Sequence, residues 1–185
     1  MLRVVGVDPG IVNLAFSVFD DGRFVHAELV NLVSPPWAST CEKDGACDLR
    51  HSNETVDRMD HFFRYAEQWF GTADVVLIER QPPGGVTHIH TELFRKYRDT
   101  AELVCPRTVH KAFGIGAPLH LTYEERKTYA TARAYKVPGA LACLRKYQKQ
   151  DDVADAICLG VFYFQRKQEM YSQAVPGGGK DRGLD

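Results

Sequence analysis

The apolar positions of the chain fall into two rhythms. Leu2 to Val7 is a near-continuous apolar run rich in valine, which predicts a buried strand. Asp8-Pro9-Gly10 ends that run with turn chemistry. Asn13 to Phe19 predicts a second strand, Asp20-Asp21-Gly22 a hairpin turn, and Phe24 to Val33 a third strand. The polar stretch Ser34 to Asn53 reads as a loop or insertion. From Glu54 to Phe70 the rhythm changes: Val56, Met59, Phe62, Phe63, Ala66 and Phe70 recur at helical spacing. Asp74 to Glu79 predicts a strand with Val75 to Ile78 as its core, stopped by Gln81-Pro82-Pro83-Gly84-Gly85. Val86 to Ala101 is expected to be a helix and Glu102 to Cys105 a short strand closed by Pro106. Tyr123 to Tyr135 and Gly139 to Lys149 are expected to be helical, and Asp151 to Gln168 a final amphipathic helix. Three antiparallel strands followed by alternating helices and strands imply an α/β fold, a mixed sheet with helices on its faces. We expect one domain over residues 1–168 and a disordered tail over 169–185, where Pro176-Gly177-Gly178-Gly179 falls.

The 185 residues are enough for one domain to bury its own core. The start of the chain does not read as a signal peptide, and no apolar run is long enough to span a bilayer. Five cysteines, an odd number with three in apolar surroundings, suggest reduced thiols and an intracellular setting. The net charge of −1 hides an uneven distribution. Arg80 to Lys149 carries 13 Lys and Arg against 5 Asp and Glu, and the rest of the chain is acidic. Such a split suits a protein that grips phosphate with one part and holds cations with another, although solvated helix faces would give the same count.

The candidate chemistry is acidic. Asp8 ends the first strand and Glu79 the fourth, each at the rim of an apolar run. Asp152 and Asp155 are three apart and share a face of the last helix, with Asp151 beside them. Taken singly, these acids read equally well as a turn, a surface pair with Arg80 and a helix N-terminal charge. Taken together they form a set that repels itself unless cations bind. Hard oxygen donors with room for water and a phosphate suit Mg²⁺, with Mn²⁺ able to substitute. Two such ions about 4 Å apart can promote phosphodiester hydrolysis.

Gly6-Val7-Asp8-Pro9-Gly10 with Asn13, Ile78-Glu79-Arg80-Gln81-Pro82 and Asp151-Asp152-Val153-Ala154-Asp155-Ala156 resemble the motifs of poxvirus-type Holliday-junction resolvases. These belong to the RuvC-like branch of the RNase H-like superfamily, and the resemblance runs from Leu2 to about Gln168. It implies an RNase H-like mixed five-stranded sheet with helices on both faces. It also implies an Mg²⁺-dependent endonuclease that resolves four-way junctions and other branched DNA by paired cuts, leaving a 5′-phosphate and a 3′-hydroxyl. The family's four acids fall on Asp8, Glu79, Asp152 and Asp155, with Asp151 as a supporting or capping acid. The family's catalytic lysine falls on Lys127, with Lys111 behind it. Arg80, Arg95, Lys96, Arg98, Lys111 and Arg126 are the candidate DNA contacts. A homodimer with two active sites matches the two-fold symmetry of a junction, and a viral member would act in the host cytoplasm or a replication factory.

The chain departs from the family pattern in two places. The segment Ser34 to Asn53 is longer than the family's, and its Cys41, Cys47 and His51 raise a zinc reading, with three ligands at non-standard spacing. The segment after Gln81 is richer in Pro and Gly and carries His88 and His90, which two-residue spacing keeps off a common helix face; they read as polar surface or DNA-facing residues, not a metal pair. Three rival functions remain open on sequence. One is another RNase H-like nuclease acting on RNA or flaps. Another is an actin-like phosphotransferase, for which no second glycine-rich phosphate loop is present. The last is a non-catalytic nucleic-acid-binding module, which the intact set of four acids disfavours.

Overall fold

A computed structural model describes residues 1–37, 47–82, 85, 87–114 and 121–174. Three strands open the chain: β1 (Arg3–Asp8), β2 (Leu14–Asp20) and β3 (Arg23–Val30). Asp21 (φ 48°) and Gly22 (φ 81°) form the turn between β2 and β3. Both are left-handed, as a tight two-residue hairpin requires and as an Asp-Gly pair tolerates. β3 ends three residues before Val33, because the Asn31 side-chain oxygen accepts from the backbone N–H groups of Val33 and Ser34 and closes a turn there.

The remaining elements are α1 (Thr55–Phe70), β4 (Val75–Glu79), α2 (Thr87–Lys96), β5 (Ala101–Val104), α3 (Pro106–Ala112), α4 (Tyr123–Tyr135), α5 (Ala140–Leu144) and α6 (Asp151–Ala174). Four of them differ from the expectation. α2 stops at Lys96, and a turn over 97–100 leads into β5. Pro106 does not merely close β5: it opens α3, in the first-turn position where a missing N–H costs nothing. α5 is shorter than the segment Gly139 to Lys149 suggested, starting behind Gly139 at φ 87°. α6 runs past Gln168 to Ala174, because no glycine or proline stands between Gln168 and Pro176; residues 169–174 are therefore helix and not tail, and 175–185 lie outside the described residues. Cys143 and Cys158 are buried free thiols, but Cys105 is exposed, so two of the described cysteines belong to the core and not three.

The five strands form one sheet in the order β3-β2-β1-β4-β5. β1 is central: it pairs antiparallel with β2 and parallel with β4, and β4 pairs parallel with β5. Side chains alternate between the two faces of a strand. Val5, Val7, Val76 and Ile78 point to one face, where Met59, Phe62 and Ala66 of α1 and Ile89 and Leu93 of α2 cover them. Val4 and Leu77 point to the other, with Cys158, Leu159 and Phe162 of α6. The sheet is thus covered by helices on both sides, as expected. Among the described residues no helix is long and apolar enough to cross a membrane.

The α6 side is packed unusually close. A Cβ on Gly6 would sit 2.5 Å from the Ala156 carbonyl oxygen, and one on Gly160 would sit 2.3 Å from the Phe19 ring. The buried Ser17 hydroxyl donates to the same Ala156 oxygen at 2.7 Å. α6 is therefore seated directly on the backbone of β1 and bonded to β2, which fixes its height and its rotation over the sheet.

Alanine at position 6 should accordingly lower the unfolding free energy by about 1–3 kcal/mol, since backbone atoms cannot yield to the added methyl. Urea denaturation measures this. Alanine is otherwise the better strand residue by up to ~1 kcal/mol, so an unchanged or raised midpoint for Gly6→Ala would contradict the close seating.

Candidate active site

Strand parity decides where the acids point. Asp8 follows Val4 and Gly6 on the α6 side of β1, and Glu79 follows Val75 and Leu77 on the same side of β4. The parallel register sets Val7 opposite Ile78, so the next step places Asp8 beside Glu79 at adjoining strand ends. α6 begins over this edge. Asp152 and Asp155 in its first turns join Asp8 and Glu79 in lining a single cleft of about 400 Å³. Four acids from three elements, spread over most of the chain, thus meet in one place. The turn after β1 closes one wall: a Cβ on Gly10 would lie 2.5 Å from the Asn13 carbonyl oxygen, so only glycine allows this tight turn.

The electrostatics of the cleft follow from burial and like charge. Asp8 opens to the cleft but is closely ringed by protein; burial, then Glu79, Asp155 and Asp152, push its carboxyl well above the usual carboxylate range. Burial, then Asp155 and Asp152, raise Glu79 to about 7. Burial also raises Asp155 to about 7, with Asp152 and Asp151 adding to it and Lys127 opposing. The Asp152 Oδ2 is buried and has no aligned hydrogen-bond donor, although the Lys149 ammonium approaches to 2.7 Å as an ion pair.

Lys127 projects from α4 into the same cleft. It donates to Asp151, lies 3.8 Å from Asp152 Oδ1, and sits over the Tyr123 ring at 4.9 Å from its centroid. Burial disfavours its ammonium, but bonds to Asp151 and Tyr123 and the charges of Asp151 and Asp152 outweigh this and raise it above its ordinary value. Burial likewise acts to raise Asp151, yet the bond and charge of Lys127 pull that carboxyl below its usual range. Lys127 is thus a fixed, permanently charged group among acids. Its helix is anchored by Thr122, which accepts from the Glu125 backbone N–H while the Glu125 carboxylate accepts from the Thr122 backbone N–H.

The remaining candidates are distributed unevenly. Arg126 lines the cleft and donates to the Leu121 carbonyl at 3.0 Å. Lys111 lies on α3 next to His110, which does line it, and Arg80 lies between the lining residues Glu79 and Gln81. Arg95 is paired with Glu92 at 2.7 Å, and Lys96 lies over the Phe63 ring on the α1 side of the sheet. Arg98 is exposed. Three residues that the sequence did not single out, His110, Tyr123 and Lys149, also line the cleft. Lys149 stands three residues before Asp152, a spacing that was visible in principle; His110 lay hidden because α3 itself was missed.

Cys41 lies outside the described residues. Cys47 and His51 are close together, and they are joined by His61 of α1. His88 and His90 belong to no such group among the described residues; His88 is exposed, and burial and then Arg80 lower His90.

The donor set of the cleft fits hard divalent cations. All four groups are carboxylates, three of them are pushed upward by burial and mutual repulsion, and one buried oxygen lacks a donor. They ring the cleft without closing on a single point, which leaves room for hydrated ions and a phosphate.

Comparison with known proteins agrees with this architecture. The profile of a family described as Poxvirus A22 protein matches residues 3–167. The fowlpox virus Holliday junction resolvase is similar over 90% of this chain and 99% of its own, at 20% identity and a TM-score of 0.53, and it is also known with its substrate Holliday junction DNA. RuvC of Thermus thermophilus is similar over 90% of this chain and 97% of its own, at 16% identity and a TM-score of 0.55. The yeast mitochondrial Holliday junction resolvase Ydc2 is similar over 93% of this chain and 84% of its own, at 16% identity and a TM-score of 0.59. No curated protein matches the chain in sequence.

The raised carboxyls give a signed pH dependence. An acid whose folded value lies above its unfolded value favours folding fully below the unfolded value, and that contribution is lost as pH rises through the folded one. For Glu79 and Asp155 the loss runs from about 4 to about 7, and for these coupled groups it is on the order of a few kcal/mol in the cation-free protein. The melting temperature without divalent cations should therefore fall between about pH 5 and pH 8, and added Mg²⁺ should raise it more at the higher pH. Scanning calorimetry with and without Mg²⁺ checks this, and an equal shift at both pH values would refute it.

Proposed function

The chain belongs to the Poxvirus A22 protein family, and on that premise we propose that it is a magnesium-dependent endonuclease resolving Holliday junctions and other branched DNA by paired phosphodiester cuts. The observation that carries this reading is the convergence of Asp8, Glu79, Asp152 and Asp155 on one cleft that also holds a fixed cation, Lys127. The fold is that of proteins known as Holliday junction resolvases, two of which are known with junction DNA. Binding alone gives no reason to gather four acids against a phosphate polyanion.

Asp8, Glu79, Asp152 and Asp155 would hold the ions. Bound there, Mg²⁺, or Mn²⁺ in its place, supplies the charge that makes water nucleophilic near neutral pH and stabilises the departing oxygen. The pairing of β1 with β4 holds Asp8 and Glu79 side by side, so a fixed backbone would present both carboxylates to an ion. Asp151 keeps Lys127 charged and aimed into the cleft, where the ammonium can meet the scissile phosphate. Arg126 and Lys149 stand at the cleft to receive phosphates near the cut. Lys111 and Arg80 flank it. Arg95, Lys96 and Arg98, from α2 and the turn after it, are outer contacts for a DNA arm. Recognition then rests on backbone charge and on the shape of the branch, not on base edges. Two copies of the chain as a homodimer would present two clefts to the symmetry-related strands of the junction. The setting is intracellular, where the DNA is and where free thiols persist.

Cleavage of a synthetic four-way junction, run beside duplex, flap and RNA substrates, tests the reading. Junction cutting that requires Mg²⁺ is expected. Preferential cutting of RNA or flaps would assign the cleft to a different nuclease, and no cutting of any substrate would leave a binding module. Asp152→Asn should abolish cleavage while junction binding stays intact or tightens, because one repelling charge is gone. Lys127→Ala should lower the single-turnover rate by about 10²-fold with little change in junction affinity. Full activity in either variant would overturn the assigned role of that residue.

A further inference from the structure

A second group of metal-ligating side chains lies away from the acidic cleft, on the α1 side of the sheet. Cys47 and His51, in the segment leading to α1, meet His61 in the middle of α1, and one ligand atom from each lies within 4.8 Å of the others. The Cys47 Sγ is 3.9 Å from His61 Nδ1, and the His51 and His61 rings are 4.7 Å apart between centroids, tilted by 42°. For a tetrahedral zinc ion, ordinary Zn–S and Zn–N bond lengths put a sulfur and a nitrogen ligand ~3.6 Å apart. The observed separation is within a few tenths of an ångström of that.

The surroundings are those of a ligand set. His61 is buried, and its Nε2–H donates to the Arg50 carbonyl at 3.3 Å. This bond holds the ring in the tautomer whose lone pair is on Nδ1, turned toward the Cys47 sulfur, as the outer partners of zinc-bound histidines do. The Arg64 guanidinium donates to the same sulfur at 3.7 Å, and Asp48 in turn holds Arg64 at 2.6 Å. Ser52 and Arg50 both contact Asp57 in the first turn of α1, so the segment is already bound to the helix on either side of His51. One thiolate and two imidazoles are a borderline-soft set that selects Zn²⁺ over the Mg²⁺ suited to the carboxylate cleft.

We propose that Cys47, His51 and His61 bind a zinc ion that fastens the segment before α1 to that helix. Among the described residues no fourth His, Cys, Asp or Glu joins this group. Binding displaces the Cys47 thiol proton to solvent, so occupancy weakens at acid pH. Described residues of the connection from β3 to α1 form neither strand nor helix between Asn31 and Glu54. A metal clip supplies there the order that burial supplies elsewhere. The site is separate from the nuclease reading and stands or falls without it.

The test uses the full chain purified without chelator or added zinc, with metal content measured by mass spectrometry. About one equivalent of zinc per chain is expected, bound tightly enough to survive dialysis. Cobalt added to chelator-stripped protein should develop the intense visible bands of a tetrahedral site and a thiolate-to-cobalt charge-transfer band, both abolished by zinc. Cys47→Ser should lose the charge-transfer band, and His51→Ala, at an exposed position, should lower zinc affinity at least about tenfold. Asp8→Asn should keep its zinc. The absence of a charge-transfer band in the wild-type protein overturns the proposal. So does zinc that survives in both Cys47→Ser and His51→Ala, or that is lost in Asp8→Asn, since the ion then belongs to the acidic cleft.

Discussion

Like charge held at close quarters is the constraint around which this fold is arranged. Burial raises the proton affinity of Asp8, Glu79 and Asp155, and the neighbouring carboxylates, Asp152 among them, add to the effect. Left to relax, such groups would turn apart into water. They do not, because each is carried on backbone that the rest of the molecule immobilises. Asp8 and Glu79 end neighbouring strands locked in parallel register at the centre of the sheet. Asp152 and Asp155 ride on a helix that packing has already placed.

That placement depends on small residues. Gly6 and Gly160 leave out the side chains that would hold α6 away from the sheet, and Ser17 bonds to the helix backbone through the gap. The layer beneath is built mainly from Ala15, Ala27, Ala134, Ala140, Ala154 and Ala156, with Phe19 closing one end. The opposite layer is different in kind. There Phe16, Phe62 and Phe70 pack edge to face and give the sheet a stiff apolar backing. One face provides rigidity and the other provides close approach, and the acids lie on the second.

Cations in the cleft offset part of the repulsion without filling it. Lys127 and Lys149 contact Asp151 and Asp152, at the helix end of the cluster. No lysine or arginine among the described residues forms an ion pair with Asp8 or Glu79. The carboxyls left without such a partner are Asp8 and Glu79 at the strand ends and Asp155 beside them, which is where a divalent ion would gain most. The same logic separates the two candidate metal regions: carboxylates at the strand ends suit a hard ion, and the thiol and imidazoles beside α1 suit a softer one.

Local rhythm was sufficient to place the five strands, α1, α4 and α6, since each buries one face and so repeats at the period of its own geometry. It also set the four acids at strand ends and helix start, and parity along β1 and β4 then puts Asp8 and Glu79 on a common side. It did not reveal α3, because Pro106 reads both as the end of a strand and as the first turn of a helix. Nor did it distinguish Lys127 from Lys111, whose spacings are equally compatible with an exposed face. Lys127 reaches Asp151 only because α4 packs against α6, and Lys96 is drawn to Phe63 only because α2 packs beside α1. His61 shows the same limit: in sequence it is one polar residue in an amphipathic helix, and only the path of the chain before α1 brings Cys47 and His51 to it. Periodicity is a property of neighbours along the chain, whereas these contacts are set by the packing of whole elements, and packing is where the tertiary structure alone decides.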